Sequence, residues 1–309
     1  MTKRIFFVII IFLLLLTSCG ENEFMGDIVH PNKEIDGYNV NMKRDILCLM
    51  MAYPEYIKDL VKKDDNIYLI MESGTKILYD DKREKSFSEK LNNPDLQDML
   101  EQPYTIKNIN TIPDKNFDPG RIRVDSFLKE VYGKSRKEIE SNLTNLKVGY
   151  KYYPFNKKNS ASKALKNAIT EAAVLARNNY KIYSCLFPSS GTYNYRVIAG
   201  TNRLSPHSFG IAIDLRRNNK DYWKWASRDQ GQKRLAEYPK GIVRIFEDNG
   251  FVWGGKWNHF DILHFEYRPE LIIKARYFNN KSLSMEKWYK GVELTDKVKE
   301  YIRKIDSIL

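Results

Sequence analysis

The segment from Leu204 to Leu215, Leu-Ser-Pro-His-Ser-Phe-Gly-Ile-Ala-Ile-Asp-Leu, constrains this chain more than any other. Ile211, Ile213 and Leu215 alternate with Gly210, Ala212 and Asp214, the period of a strand with one apolar face. The other face carries two very small residues and ends in a carboxylate, which leaves space beside Asp214 for a ligand or an ion. His207, on the loop leading in, can fold over that face. A second short strand-like run holds His264, within the stretch from Gly250 to Tyr267. Of the four histidines in the chain, His207, His259 and His264 fall within 58 residues, among glycines, tryptophans and aspartates.

Two imidazoles and one carboxylate suffice as protein donors for a catalytic zinc ion, with the fourth position left to water. His207, Asp214 and His264 supply that set. Asp261, three residues before His264, is too close to ligate comfortably from the same strand and can instead act as the base beside the water. Glu266 shares a face with His264 if the run is extended, and can accept a hydrogen bond from a ligand. His259 either orients a ligand or sits in a surface loop.

The residues just named, with Arg196-Val-Ile-Ala-Gly-Thr, Ser205-Pro-His-Ser-Phe-Gly-Ile-Ala-Ile-Asp, Gly-Phe-Val-Trp-Gly-Gly-Lys-Trp from Gly250, and Asp261-Ile-Leu-His-Phe-Glu, resemble the zinc peptidases of the D-alanyl-D-alanine dipeptidase and carboxypeptidase group. That group also includes L-alanyl-D-glutamate endopeptidases. The likeness runs from about Leu146 to Tyr267. It implies an α+β fold, a small antiparallel sheet flanked by helices, with zinc on His207, Asp214 and His264 and Asp261 as general base. In relatives an arginine before the first ligand recognises a substrate carboxylate; Arg196 is the candidate here, and Arg203 is close enough to compete. Ser205, which shapes the loop, and Trp253, beside Gly254-Gly255, are expected to contact substrate. The implied reaction is hydrolysis of amide bonds in peptidoglycan stem peptides. The D-alanyl-D-alanine carboxypeptidase type comes first, with an L-alanyl-D-glutamate endopeptidase or a non-catalytic, zinc-containing wall-binding protein as alternatives.

The first residues read as an address. Lys3 and Arg4 precede an apolar run from Ile5 to Leu16 and then Thr17-Ser18-Cys19. Twelve apolar residues span about 18 Å as a helix, short of a ~30 Å hydrocarbon core. The Leu-Thr-Ser-Cys ending resembles a bacterial lipobox, which implies cleavage before Cys19, acylation of its thiol, and an exported protein facing the periplasm or cell wall. Residues 1–18 are then a signal peptide and 19–37 a tether. Residues 38–145 form an N-terminal mixed α/β region without an assigned role, 146–275 the peptidase domain, and 276–309 a helical extension.

In the N-terminal region, helical spacing predicts a helix from Met42 to Tyr53. Asn66 to Glu72 and Thr75 to Tyr79 read as strands about a turn at Ser73-Gly74. Further helices are expected at Pro94 to Leu100 with Asn93 as cap, Arg123 to Tyr132, and Ser135 to Leu143. A strand at Val148, Tyr150 and Tyr152 precedes a long helix capped by Ser160 or Ser162 and ended by Asn178-Asn179. The last helix is expected over Met285 to Leu309. No catalytic constellation is visible before Leu146. The net charge of +12 suits any polyanion, but no nucleic-acid motif accompanies it and export argues against one. Three cysteines exclude a disulfide framework, and Cys48 and Cys185, each in an apolar run, are expected to be buried thiols.

Overall fold

The computed structural model describes residues 31–148, 151–279 and 287–309. Cys19, the signal peptide and Tyr150 lie outside them. A long helix α1 (Pro31–Ala52) opens the fold and begins inside the expected tether. Three strands follow, β1 (Ile57–Lys63), β2 (Asn66–Met71) and β3 (Lys76–Leu78), in an antiparallel meander of order β1-β2-β3. Asp64 and Asp65 both take positive φ between β1 and β2, as a two-residue hairpin turn demands. Gly74, at φ +84°, makes the expected turn before β3.

Four short helices come next: α2 (Phe87–Asn92), α3 (Leu96–Glu101), α4 (Asp125–Tyr132) and α5 (Arg136–Ser141). Asn93 does not cap α3. Asp95 does, accepting the Asp98 backbone N–H, while the Asp98 side chain accepts that of Asp95. Ser135 caps α5 through the Glu138 N–H. A hairpin of β4 (Leu143–Val148) and β5 (Lys151–Asn156) leads to α6 (Ala161–Ala176) and α7 (Tyr180–Leu186). Neither Ser160 nor Ser162 caps α6; Ser160 stands at the N-cap with positive φ and makes no side-chain cap. Asn179 does not close α6 but caps α7.

The sheet that matters for chemistry contains β6 (Ala212–Asp214), β7 (Phe251–Trp253) and β8 (His264–Tyr267), after the helices α8 (Arg228–Glu237) and α9 (Lys240–Asp248). Its order is β6-β8-β7, antiparallel throughout, and Asp214 pairs directly with His264. Among the described residues two helices follow, α10 (Pro269–Tyr277) and α11 (Asp296–Ile308). α11 starts at its Thr295 cap, later than the expected Met285. The architecture is thus mixed α and β, small antiparallel sheets flanked by helices.

One hydrophobic core joins these parts, from Val40 in α1 through Phe127, Leu165 and Phe251 to Ile305 in α11. α1 packs on α10 and α11, and the expected boundary at 145/146 falls inside β4. Ile211, Ile213 and Leu215 are fully buried, as their alternation requires. Cys48 and Cys185 are buried free thiols. Among the described residues no helix is long and apolar enough to cross a membrane.

Gly210 ties the β4–β5 hairpin to the site. Its φ is +66°, and a Cβ there would lie 2.6 Å from Leu143 Cδ2 and 3.2 Å from the Asn156 nitrogen. Asn156 is fully buried and donates through Nδ2 to the carbonyls of Tyr132 and Phe209. Gly210→Ala is therefore expected to lower stability by about 1–3 kcal/mol, read as a lower urea midpoint with an unchanged slope.

Candidate metal centre

The loop from Leu204 to Gly210 is stitched to the preceding segment before any side chain of the site is placed. Ser205 N–H donates to the Arg196 carbonyl and Ser208 N–H to the Ser205 carbonyl. Ser208 Oγ accepts the Arg196 N–H at 2.8 Å and donates to the Arg196 carbonyl at 2.6 Å. Ser205 is 2% exposed and its Oγ accepts the His207 N–H. It shapes the turn that carries His207, and its nearly complete burial leaves little of it for the expected contact with a substrate.

His207 thereby hangs over the β6–β8 pair. Its Nε2 lies 3.3 Å from His264 Nδ1 and 3.3 Å from Asp214 Oδ1, and His264 Nδ1 lies 3.0 Å from the same oxygen. The Asp214 and His264 side chains are cross-strand neighbours, which is why they meet. His207 Nδ1 lies 2.5 Å from the Thr192 carbonyl. A carbonyl only accepts, so Nδ1 carries a proton, and the other ring nitrogen, Nε2, faces the cluster.

This donor set fits a small divalent cation. Tetrahedral ligands at ~2.1 Å from an ion are ~3.4 Å apart, close to the spacings of the three atoms here. His207 and His264 are 6% and 5% exposed, whereas the Asp214 side chain keeps 30% of its surface, so the open side of the cluster faces Asp214. A second acidic group, Asp80, Asp81 and Asp95, has comparable spacing, but the Lys85 ammonium sits 3.0 Å from Asp81 and 2.7 Å from Asp95 and supplies the positive charge itself.

Charge around the cluster is tightly arranged. Burial alone would push the His264 imidazolium down, but its hydrogen bonding to Asp214 and the nearby Glu266 outweigh this and raise its pKa to about 10. Burial would raise Asp214; His207 and His264 instead hold it far below the carboxylate range. Glu266 Oε2 lies 3.7 Å from His264 Nε2. Burial would likewise raise Glu266, yet Arg123 holds it far below the ordinary value, with bonds of 2.7 Å from Nε and 2.5 Å from Nη2.

Asp261 approaches from the turn before β8. Its N–H donates to the Gly254 carbonyl and its own carbonyl accepts the His264 N–H. A Cβ on Gly254 would stand 2.6 Å from that carbonyl oxygen, so only glycine lets the two segments close up. Desolvation, then the nearby Asp214, pushes the Asp261 carboxyl up to about 7 against the pull of His264. Among the described residues its carboxylate accepts no hydrogen bond from a side chain, which leaves it free to exchange a proton.

The other expected residues lie elsewhere or differently. Arg196 is exposed beside the loop. Trp253 is fully buried, stacked on Tyr238 with 5.3 Å between centroids, and its indole N–H donates to the Ile262 carbonyl. It is core, not cleft. His259 is bound to Asp118 through Nδ1 at 2.6 Å and packs against Trp223, so it anchors a loop. Sequence reasoning missed Arg123 and Arg268, the cations on Glu266, and Thr192, which orients His207. Arg123 lies 143 positions from Glu266, in a region with no recognisable motif.

Fold and site together define an α+β protein with a His-Asp-His group able to hold one metal ion. Residues 199–267, which contain all three of these residues and Asp261, match the family model described as D-alanyl-D-alanine carboxypeptidase. The match supports a peptidase of that family for this segment, and it begins after Arg196. Comparison with curated proteins and with solved structures found no match.

In the metal-free chain His264 stays protonated up to a pH of about 10. A cation must displace that proton, so apparent metal affinity should rise about tenfold per pH unit over roughly pH 6 to 8. Calorimetry in buffers of different ionisation enthalpy checks this by counting about one proton released per ion bound.

Proposed function

We propose that this protein is a zinc-dependent peptidase that hydrolyses amide bonds in the peptide stems of peptidoglycan, of the D-alanyl-D-alanine carboxypeptidase type. The convergence of His207, Asp214 and His264 at 3.0–3.3 Å, inside the segment that matches the family model, carries the reading. Those three residues would hold the zinc. When bound, zinc supplies Lewis-acid polarisation of the scissile carbonyl and acidifies water.

The chain's own groups do the rest. Asp261, with a carboxyl near neutral, accepts the proton of the attacking water and passes it to the leaving amine. Thr192 keeps His207 in the tautomer that offers Nε2, and Glu266 keeps the His264 ring turned toward Asp214. Arg196, exposed where the loop meets the site, receives the terminal carboxylate of the stem. The lipobox ending at Cys19 places the protein on a bacterial membrane by acylation, facing the periplasm or cell wall.

Incubation of the zinc-loaded protein with peptidoglycan, followed by mass spectrometry of the products, tests the activity. Release of D-alanine is expected, with Asp261→Ala losing at least about 100-fold in rate while still binding zinc. His207→Ala should lose the metal as well. If several wall types yield neither D-alanine nor any new amine, the peptidase reading is wrong.

The anchor is tested separately. Cys19→Ser should abolish incorporation of labelled palmitate in a bacterial host and move the protein out of the membrane fraction.

A further inference from the structure

An open groove of about 610 Å3 runs between the β4–β5 hairpin, one side of α6, and the end of α7 with Phe187-Pro188. Its floor is apolar, and its edge carries large side chains that face solvent. Val174 is 57% exposed and Tyr183 50%, with the Tyr183 ring 5.5 Å from that of Phe187. Tyr180, 79% exposed, lies three residues before Tyr183 on the same side of α7. Single apolar side chains on a surface are ordinary, but a contiguous set of them around a groove marks a place of contact.

The charges on the rim select the class of partner. Lys147, Lys151 and Arg177 line the groove and are exposed, and none makes a side-chain hydrogen bond or ion pair among the described residues. No acidic side chain lines it. Glu171, on the neighbouring turn of α6, is turned away and accepts the Asn249 side-chain N–H. Three unpaired cations around tyrosines and an aliphatic edge complement a surface that offers phosphate above hydrocarbon, where tyrosine rings settle at headgroup depth. A soluble polyanion would be met by the cations alone and would leave the apolar edge in water.

We propose that this groove and its rim dock on a bilayer containing anionic phospholipid, with Lys147, Lys151 and Arg177 on phosphate and Tyr180, Tyr183 and Val174 at the headgroup boundary. The choice of a bilayer among polyanions rests on the lipobox reading. Acylated at Cys19, a chain whose first helix opens at Pro31 has at most about 40 Å of extended polypeptide between lipid and fold. Past Pro188 the chain runs to β6, where the Ser190 N–H donates to the Asp214 carbonyl at 2.8 Å. Docking therefore sets the height of the metal centre above the lipid, which a tether alone leaves open.

Co-sedimentation with vesicles tests this on the chain from Gly20, which contains every described residue and the whole core. Binding is expected to vesicles of phosphatidylglycerol mixed equally with phosphatidylcholine, and about tenfold or more weaker to phosphatidylcholine alone. Lys147→Gln, Lys151→Gln and Arg177→Gln combined should weaken it by about thirtyfold or more. The same loss of charge through Lys58→Gln, Lys76→Gln and Lys107→Gln, all exposed in the N-terminal region, should cost less than about threefold. Tyr183→Ser should also weaken binding, and in Tyr183→Trp the tryptophan emission should move to shorter wavelength when the mixed vesicles are added. Equal binding to phosphatidylcholine, an equal loss in the two triple variants, an unmoved emission, or tighter binding to soluble teichoic acid than to vesicles overturns the proposal. The chain from Gly20 carries no acyl site and the assay needs no zinc, so failure of the palmitate or hydrolysis tests is read separately.

Discussion

A single buried carboxylate, Glu266, holds the site and the rest of the molecule to each other. It sits in the middle of β8 between Ala212 and Val252, with no exposed surface. A carboxylate in that position is tolerable only if cations come to it. Arg123 does so from the N-terminal region and Arg268 approaches at 3.5 Å, itself fully buried and bonded to Glu270 and the Gly120 carbonyl. Glu270 in turn accepts the Tyr53 hydroxyl at 2.6 Å, just after α1. The group that steadies the His264 ring therefore also fixes the N-terminal half against the sheet.

That coupling explains how three short strands can present metal donors with little play. Asp214 and His264 are placed by strand pairing, and His207 by a loop whose backbone is bound to its neighbours. Nothing in the three-residue strand β6 would persist alone. Its register is held because Ile211, Ile213 and Leu215 are buried on one side, so a slip of one residue would bring Asp214 into the core.

The local parts of this arrangement were legible in the sequence. The period of two around Ile213 and the turn at Gly74 each depend on residues close in the chain. Trp253 was misread because β7 is buried on both faces, against α9 and within the sheet, so no alternation marks which way its ring points. The strand β1 was missed for the opposite reason: it is Lys-rich, buries only Ile57 and Leu60, and has an irregular register near Asp59. Asp95 displaced Asn93 as cap because its carboxylate also meets the Lys85 ammonium, a partner that spacing does not reveal. Arg123 draws its meaning from neighbours brought by the fold, and no window of sequence contains those.

The two ends of the described chain meet. Lys43 in α1 pairs with Asp306 in α11 at 2.7 Å, Lys304 pairs with Asp59, and Leu309 borders the same crevice as Tyr38. The polypeptide is in effect a loop fastened by a clasp of two helices. A pull on the start of α1 and a pull on the end of α11 load the same clasp, so tension applied at either point would be borne by α1 and α11 before it reached the strands that position the histidines.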